Sequence, residues 1–377
     1  MKNTKVFAEV LEDSALKQFE DAMKLDCNVQ GALMPDAHTG YSLPIGAVIK
    51  TKDKVFPSYV GYDIGCGVAC VELGIRYTEV NLEELKKYII NHIPLGFSKH
   101  EKPQNISSFL FKGTSDILRN IFTSRGAYQL GTLGGGNHFI EVGYRKQNKN
   151  LCIVIHSGSR GLGHGVASHY MEIAAQKVLE KKWKEAGKFT KANRKEGSFS
   201  LDLDSDDGRM YMRDQTFCLE FALLNRKKMI DTIVHGLQLQ GLAFKEVQFI
   251  NRNHNHAEYK NGYIIHRKGA THAEKDMLGI IPGNMKDGSF IVKGKGNEES
   301  LCSSSHGAGR VLSRRKAKET LSNETFNNLM VGIVTNHTED TIDESPEAYK
   351  NIFEVMELQK DLVDVIDRII PILNIKG

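Results

Sequence analysis

The sequence predicts an α+β protein in which helices surround a central β core. Short apolar runs, broken by glycine, proline and aspartate, are typical of strands and turns, and longer amphipathic stretches have helical periodicity. Both kinds of segment occur throughout the 377 residues, of which 40% are hydrophobic and 25% charged. This composition is ordinary for a globular protein that is large enough to bury a core without covalent crosslinks.

The predicted elements follow one another without an internal repeat or a low-complexity linker. Helical periodicity predicts helices over residues 15–25, 82–92, 107–122, 166–188, 206–237, 310–320, 324–331 and 347–369. Apolar runs bounded by turn residues predict strands over residues 45–49, 55–60, 68–73, 151–155, 247–250, 263–266 and 288–293, and at the end of the glycine-rich segment 131–142. Chemically distinctive segments span almost the whole length, so we expect one domain, residues 1–377, rather than two separable ones.

The net charge, the cysteine spacing and the apolar runs indicate which ligands and which compartment suit the protein. A formal net charge of +4 permits nucleic-acid binding without requiring it. The six cysteines lack the spacing of a disulfide framework, so we expect reduced thiols and a cytoplasmic protein. The first residues lack the apolar core of a signal peptide, and no apolar run reaches the length of a membrane span, so we expect no membrane association.

One stretch, residues 177–195, is strongly basic and includes Trp183 and Phe189. The simpler interpretation of such a charge run is the solvated end of a helix. The alternative is a surface that follows the backbone of a polyanion and offers an aromatic ring for stacking. We predict that residues 177–200 form a basic surface insertion within the domain.

The segment Leu301–Arg310, LCSSSHGAGR, places His306 between small hydroxyl residues and a Gly-Ala-Gly run. Small residues let a ligand approach backbone N–H groups, and a helix predicted from residue 310 onward would favour a phosphate at its N-terminus. A histidine in such a loop is more often a surface or capping residue. Its functional interpretation therefore depends on other segments of the chain.

Further histidine, cysteine and aspartate side chains lie at predicted strand ends or in glycine-rich turns, where α/β proteins place their sites. A thiolate bridges two cations readily, and imidazoles and a carboxylate complete the coordination. By ligand chemistry alone this set fits zinc best, with manganese or iron possible, and the absence of CxxC and HExxH patterns excludes a zinc ribbon and a zincin. Taken singly, each residue could instead be an ordinary buried side chain. The candidate ligands are Asp63, Cys66, Asn137, His138, His156, His254, His256 and His306.

Two further glycine-rich segments have simpler interpretations. In residues 158–165, GSRGLGHG, the glycine order does not match GxGxxG, and the chain contains no P-loop GK[ST], so neither nucleotide-binding motif is predicted. Residues 267–290 could form only a surface loop. They also contain Lys268, Asn284 and Ser289, whose donors suit a purine base and a triphosphate.

The following motifs occur in this order along the chain: DAHTG, VGYDIGCG, GGGNHFIE, HSGSRGLGH, RKGA, LGIIPG, GKGN, SHGAGR and a terminal KG. Taken together, they resemble the motifs of the RtcB family of RNA-splicing ligases. The resemblance covers nearly the full length of the chain. It implies a compact domain with its active-site cleft at one end, and a GTP-dependent enzyme that uses two Mn²⁺ ions. Such an enzyme joins RNA ending in a 3′-phosphate or 2′,3′-cyclic phosphate to RNA with a 5′-hydroxyl, in tRNA splicing or RNA repair. We expect a monomer, which an activating helper protein could assist.

The resemblance also implies roles for individual residues. His306 would be the nucleophile that becomes guanylylated, and Cys66 would bridge the two ions. Asp63 and His138 would complete the ligands of one ion, and His156 and His254 those of the other. The expected nucleotide-binding residues are Asn137, His138, Phe139, Ile140, Glu141, His254, Asn255, Pro282, Gly283, Asn284, Met285, Ser289, Gly307, Ala308, Gly309 and Lys376.

One of these roles required a choice between two histidines, and two motifs of the chain depart from the family's pattern. His254 is preferred to His256 because the family's ligand histidine precedes an asparagine, here Asn255. The family's PGSM turn reads PGNM here, which leaves the base contact of Asn284 open. Residues 36–46, DAHTGYSLPIG, lack the usual glycine-rich, lysine-bearing form and suggest a divergent subgroup with its own RNA preference.

Two other classes of function compete with ligation. The chain could be a metal-dependent phosphodiesterase or a nucleotide-binding stress factor that kept the pocket and lost ligase activity. It could also be an RNA-binding scaffold, whose affinity for RNA would not depend on the metal ligands. His306 and Lys376 favour the ligase, because hydrolysis needs no histidine nucleophile.

Overall fold

Two large β-sheets form the centre of the protein. A computed structural model describes residues 3–105, 111–186 and 197–377, with the backbone alone over residues 178–186. The strands are β1 (Asn3–Val6), β2 (Asn28–His38), β3 (Ile45–Thr51), β4 (Lys54–Val55), β5 (Gly67–Arg76), β6 (Phe139–Arg145), β7 (Asn150–Ser157), β8 (Leu201–Asp202), β9 (Glu246–Asn253), β10 (Asn255–Lys260), β11 (Tyr263–Lys268), β12 (Ala270–His272), β13 (Leu278–Pro282), β14 (Ser289–Gly294), β15 (Ser303–Ser305), β16 (Val334–Thr335) and β17 (Val363–Lys376).

Helices cover the outside of these sheets. The described α-helices are α1 (Asp13–Met23), α2 (Pro57–Val60), α3 (Leu82–His92), α4 (Asp116–Ile121), α5 (Ala127–Gln129), α6 (Arg160–Ala186), α7 (Asp206–Leu239), α8 (Arg314–Thr320), α9 (Asn323–Leu329) and α10 (Ile352–Leu358). In the described ranges no helix is both long and apolar enough to cross a membrane. The arrangement confirms the predicted α+β class with a central β core flanked by helices.

The larger sheet has the strand order β13-β14-β17-β6-β7-β5-β9, with β16 paired to β17. Its central strands are buried on both faces and are therefore nearly continuous apolar runs, as in LCIVI of β7. Helix α7 packs Met229, Ile230, Ile233 and Leu237 into the core against one face. That burial stabilises the helix, since its tertiary packing contributes more than its intrinsic propensity.

Antiparallel pairing brings distant parts of the chain to one end of this sheet. Gly67, at the start of β5, pairs with Ser157 at the end of β7 and with Asn253 at the end of β9. Phe139, at the start of β6, pairs with Lys376 at the end of β17. Loops that carry the predicted ligands therefore leave the sheet at the same end.

The smaller sheet has the order β1-β2-β3-β11-β10 and supplies the opposite side of this region. Strand β2 ends near Asp36, and the two-stranded ladder β12–β15 carries the chain to His306 directly after Ser305. The region between the two sheets is consequently built from both ends of the sequence.

Two predicted elements differ from the structure, one near the C-terminus and one near residue 57. The helix predicted over 347–369 is instead the short α10 followed by the fourteen-residue strand β17, because β-branched residues and Pro371 favour an extended backbone there. The strand predicted over 55–60 ends at Val55, and Pro57 starts α2, a position that suits its fixed φ.

Helix boundaries also differ. The helix predicted from residue 310 begins at Arg314 with Ser313 as its N-cap, so the His306 loop does not run into a helix N-terminus. Helix α6 begins at Arg160, which makes most of GSRGLGHG helical. The predicted helix 107–122 is α4, capped by Ser115, and residues 106–110 lie outside the described ranges.

The basic stretch is only partly described. Helix α6 continues to Ala186, and the side chain of Lys177 pairs with that of Asp207. Trp183 and Phe189 fall outside the described side chains. The surface insertion at 177–200 therefore remains a prediction.

Candidate metal and nucleotide site

All five residues predicted as metal ligands converge at the shared end of the larger sheet. The sulfur of Cys66 lies 3.5 Å from Nε2 of His138 and 3.2 Å from Nε2 of His156. Nε2 of His156 lies 3.3 Å from Nε2 of His254. On the other side, Nε2 of His138 lies 3.0 Å from Oδ2 of Asp63. The five side chains thus form one continuous series of contacts, and Cys66, His138, His156 and His254 are buried.

The turn before β5 is held in place by Asn255, the residue after His254. The carboxamide of Asn255 donates to the Asp63 carbonyl at 3.1 Å and accepts from the Gly269 amide at 2.8 Å. The backbone amide of His254 donates to the Cys66 carbonyl at 2.7 Å. Asn255 therefore positions the ligand-bearing turn.

The orientation of the imidazoles tests whether a cation fits here. Nδ1 of His138 lies 3.0 Å from the Leu133 carbonyl, and Nδ1 of His156 lies 3.2 Å from the Asn137 carbonyl. Because a carbonyl only accepts, each Nδ1 carries a proton. Nε2 of neutral His156 therefore directs a lone pair at the Cys66 sulfur, and Nε2 of His138 faces both that sulfur and the Asp63 carboxylate. A cation among these atoms would take the place of the shared proton and accept their lone pairs.

The distances agree with that interpretation. Ligand atoms about 2.0–2.3 Å from one cation are separated by about 2.8–3.3 Å at a right angle and by about 3.3–3.8 Å in a tetrahedral arrangement. A thiolate, imidazoles and a carboxylate suit a first-row divalent metal. The donor set therefore fits one or two such ions.

Burial sets the protonation of the donors in the absence of a metal. Burial and the neighbouring Asp63 raise the pKa of the Cys66 thiol well above its ordinary range. Burial also lowers the pKa of His156 and of His254 well below the ordinary range of an imidazole. Burial opposes ionisation of Asp63, but the hydrogen bond and charge of His138 lower its pKa to about 2. The imidazoles of His156 and His254 are thus ready as neutral ligands, and the thiol ionises once a cation is bound.

His306 lies next to this cluster and is oriented by Asp36. Oδ2 of Asp36 lies 2.7 Å from Nδ1 of His306 and also accepts from the backbone amides of His306 and Gly307, at 3.1 and 3.3 Å. Burial opposes ionisation of Asp36, but the charge and hydrogen bond of His306 hold its pKa below the usual range. The Nδ1 proton of His306 therefore points at a carboxylate, which leaves Nε2 as the reactive nitrogen.

His306 separates two cavities. Its ring packs edge-to-face on His254, with ring centroids 4.7 Å apart. One cavity, of about 270 Å³, has His156 as the one predicted metal ligand in its wall. The other, of about 260 Å³, has Asp63, Cys66 and His254 in its wall. His306 lines both cavities, so a group bound to its imidazole is reachable from either side.

The first cavity, here called the nucleotide cavity, contains much of the predicted nucleotide-binding set. Its wall combines small residues of the His306 loop with polar and cationic side chains, which suits a ligand with a planar ring and phosphates. The predicted residues in its wall are Asn137, Phe139, Glu141, Pro282, Gly283, Asn284, Met285, Gly307, Ala308, Gly309 and Lys376.

Cationic groups are fixed in this cavity by buried acids. Nζ of Lys376 lies 2.7 Å from Glu344 and 5.1 Å from the centre of the Phe139 ring. Arg314 contacts the same Glu344 at 2.7 Å. Burial opposes ionisation of Glu344, but Lys376 and Arg314 lower its pKa to about 2. The two cations are thereby held rigid at the cavity wall.

Glu141 is different, because burial raises its pKa to about 7. Ser289 donates to it at 2.9 Å. Between pH 4.5 and 7 the unfolded chain has lost this proton and the folded chain keeps it, so the free energy of unfolding falls as pH rises. Above pH 7 no further loss occurs. Between pH 4.5 and 7 the free energy of unfolding falls by about 3 kcal/mol in total.

Glu141→Gln should therefore remove this loss of stability. We expect the variant to be more stable than the wild type at pH 8 and similar to it at pH 4.5, with no ligand present. Urea unfolding at both pH values measures the difference. Equal pH dependence in the two proteins would show that Glu141 ionises normally.

The remaining predicted residues lie in three settings. Ser289 is buried behind Glu141, Asn255 holds the turn described above, and Ile140 packs in the hydrophobic core, because alternate residues of β6 face opposite sides. His256 lies apart from the metal cluster, 3.2 Å from Nη1 of Arg267 and stacked on His272. The structure thus places His254, rather than His256, beside His156.

Several residues of the site were not assigned from sequence. Asp36 belongs to the DAHTG motif, and its carboxylate two positions before a histidine is a local pattern that could have marked it as a candidate site residue. The cavity residues Arg314 and Tyr349, and Glu344 behind them, carried no local signal, because they lie in segments of ordinary polar composition. Asn374 lies two residues before Lys376, in a part of β17 for which the sequence predicts no element.

Known proteins are similar to this chain over most of its length. The sequence profile of the family described as tRNA-splicing ligase RtcB matches residues 18–123 and 111–377. The chain is 34% identical to the RNA-splicing ligase RtcB of Escherichia coli K12, over 92% of this chain and 90% of that protein. It is 32% identical to the tRNA-splicing ligase RtcB of Nanoarchaeum equitans, over 99% and 94%, and 27% identical to that of Thermococcus kodakarensis, over 92% and 87%.

Proposed function

Because this chain belongs to the RtcB family of RNA-splicing ligases, we propose that it joins an RNA 3′-phosphate or 2′,3′-cyclic phosphate end to a 5′-hydroxyl end, with GTP as cosubstrate. One observation carries the proposal. His306, with Asp36 on its Nδ1, lines both the nucleotide cavity and the cavity of the metal cluster. A nucleotidyl group attached to Nε2 could therefore be received from one side and delivered to the other.

The first reaction would guanylylate His306. Nε2 attacks the α-phosphorus of GTP, an N–P bond forms, and the bond to the β-phosphate oxygen breaks to release pyrophosphate. Asp36 accepts the hydrogen bond of Nδ1–H and stabilises the positive imidazole as it forms. Backbone amides of the Gly307–Gly309 run, together with Lys376 and Arg314, lie where they could share the developing phosphate charge.

The second and third reactions would use the guanylate. An oxygen of the RNA 3′-phosphate attacks the guanylate phosphorus, and the N–P bond to His306 breaks. The RNA then ends in a diphosphate linkage to guanosine. The 5′-hydroxyl of the other RNA attacks the RNA phosphorus, a phosphodiester forms, and GMP leaves.

Asp63, Cys66, His138, His156 and His254 would hold two Mn²⁺ ions, with Cys66 shared between them. When bound, such ions neutralise phosphate charge and orient the reacting groups for in-line displacement. The chain itself holds the imidazoles of His156 and His254 in the neutral form and fixes the turn of Asp63 and Cys66 through Asn255.

Asp36→Asn should slow guanylylation without preventing GTP binding. The substitution removes the negative charge that stabilises the cationic imidazole and permits the wrong tautomer. We expect the rate of label attachment from [α-³²P]GTP to fall about 10²- to 10³-fold. Unchanged GTP affinity serves as the control, and an unchanged rate would show that Asp36 does not orient the nucleophile.

Incubation with GTP, Mn²⁺ and two RNAs of defined ends tests the proposed function. We expect a longer RNA product from a 3′-phosphate donor and a 5′-hydroxyl acceptor, and no product when GTP is omitted. Cleavage of phosphodiesters without joining would instead support a phosphodiesterase. RNA binding that persists without metal and without joining would support a scaffold.

A further inference from the structure

Aromatic rings from three chain segments meet beside the cavity whose wall includes Asp63, Cys66 and His254. Tyr41 comes from the loop between β2 and β3, Tyr62 from the turn before β5, and His164 from the first turns of α6. The rings of Tyr62 and His164 are stacked, with centroids 5.0 Å apart and planes 21° from parallel. Tyr41 meets Tyr62 edge-to-face at 6.5 Å.

These rings are poorly explained by packing of the core. The Tyr41 side chain is 70% exposed, and His164 is exposed as well. Tyr62 is half-buried and packs its inner side against the core below α6. The group therefore presents aromatic faces to solvent beside the reactive centre, where an exposed ring contributes little to stability.

The loop that carries Tyr41 is anchored to the floor of the cavity. Nζ of Lys268 donates to the Tyr41 carbonyl and lies 3.3 Å from the Ser58 carbonyl. Ser42, the next residue, adopts a positive φ of 61°, which turns the chain sharply after Tyr41. The backbone of Tyr41 is thus fixed at the cavity, so the ring is attached at a defined point of the cavity wall.

The position of the rings relative to the reaction is defined by the cavity wall. Tyr41 and Tyr62 line the same cavity as Lys268 and His306. Tyr62 is also directly followed by Asp63, one of the five predicted metal ligands. A nucleotide whose phosphate reaches His306 through this cavity would place its base near the rings.

We propose that Tyr41 and Tyr62 form a stacking surface for the nucleobase of the RNA nucleotide that carries the 3′-phosphate. The inference rests on the proposed function for the identity of the ligand. The 3′-phosphate has to reach the guanylate on His306, so its own nucleotide occupies the adjoining cavity. Stacking on a ring face accepts any base, which suits an enzyme that joins ends of differing sequence.

A short RNA with 2-aminopurine as its 3′-phosphorylated nucleotide tests this inference, because stacking on an aromatic ring quenches the probe. We expect wild-type protein to quench the fluorescence and Tyr41→Leu to bind the RNA about tenfold more weakly with less quenching at saturation. Tyr41→Phe should restore both, since it keeps the ring and loses only the hydroxyl. Tyr259→Leu is the matched control, because Tyr259 is 64% exposed and lines neither cavity.

The same proteins are assayed for label attachment from GTP and for ligation, so that the two proposals are judged separately. Quenching that depends on the Tyr41 ring supports the stacking surface whether or not the wild type joins RNA. Quenching and affinity that are equal in wild type and Tyr41→Leu, while the wild type ligates, would overturn it and leave the ligase assignment intact.

Discussion

His306→Ala should abolish attachment of GMP to the protein and, with it, RNA ligation. The imidazole lines both cavities, and Asp36 fixes its Nδ1 proton so that Nε2 is free. Alanine leaves no nucleophile at this position, and water cannot replace an imidazole that must carry the guanylate between two sites. We expect the label from [α-³²P]GTP to fall at least about 10³-fold, to the background of the assay.

Two controls separate this effect from misfolding. His235→Ala removes an exposed histidine of α7 and should keep full labelling. Manganese content of His306→Ala, measured by mass spectrometry, should stay near that of the wild type, since His306 is not one of the five predicted ligands. A folded His306→Ala protein that still takes up the label would refute the nucleophile assignment.

Cys66→Ala should lose bound metal and activity together. The Cys66 sulfur contacts both His138 and His156, so it is the donor placed to be shared between two ions. Its removal takes away the soft ligand and leaves the imidazole lone pairs facing one another without a bridging anion. We expect less than about one tenth of the wild-type metal content at stoichiometric manganese, and ligation reduced at least about 10³-fold.

Cys152→Ala provides the comparison for this experiment. Cys152 is as fully buried as Cys66 but packs among apolar residues of the larger sheet. Its loss should lower the free energy of unfolding by about 1 kcal/mol and leave metal content unchanged. Retention of two ions by Cys66→Ala would show that the bridging role is wrong, even if activity fell for another reason.

The ligand cluster was predictable because each ligand carries a local signature. Cys66, His138 and His156 lie in glycine-rich turns or at the ends of apolar strands, and antiparallel pairing then aligns those ends at one side of the sheet. Chemistry and strand pattern are both readable from a few adjacent residues. The choice between His254 and His256 needed the additional pattern of a following asparagine.

The partner of His306 was not predictable in the same way. Asp36 and His306 are 270 positions apart, and their contact depends on how β2 packs beside the β12–β15 ladder. Strand β17 was also missed, because residues before Val363 are helical and the charged residues within β17 disguise its period of two. Glu344 acquires its role only when β17 brings Lys376 to it.

Peptide mass spectrometry of the wild-type protein after treatment with GTP and Mn²⁺ shows directly whether His306 carries the guanylate. We expect one added guanylate, bound through an acid-labile phosphoramidate, on the peptide that contains His306. A guanylate on a lysine or on a different histidine, or no guanylate under conditions in which RNA ends are joined, would contradict this expectation.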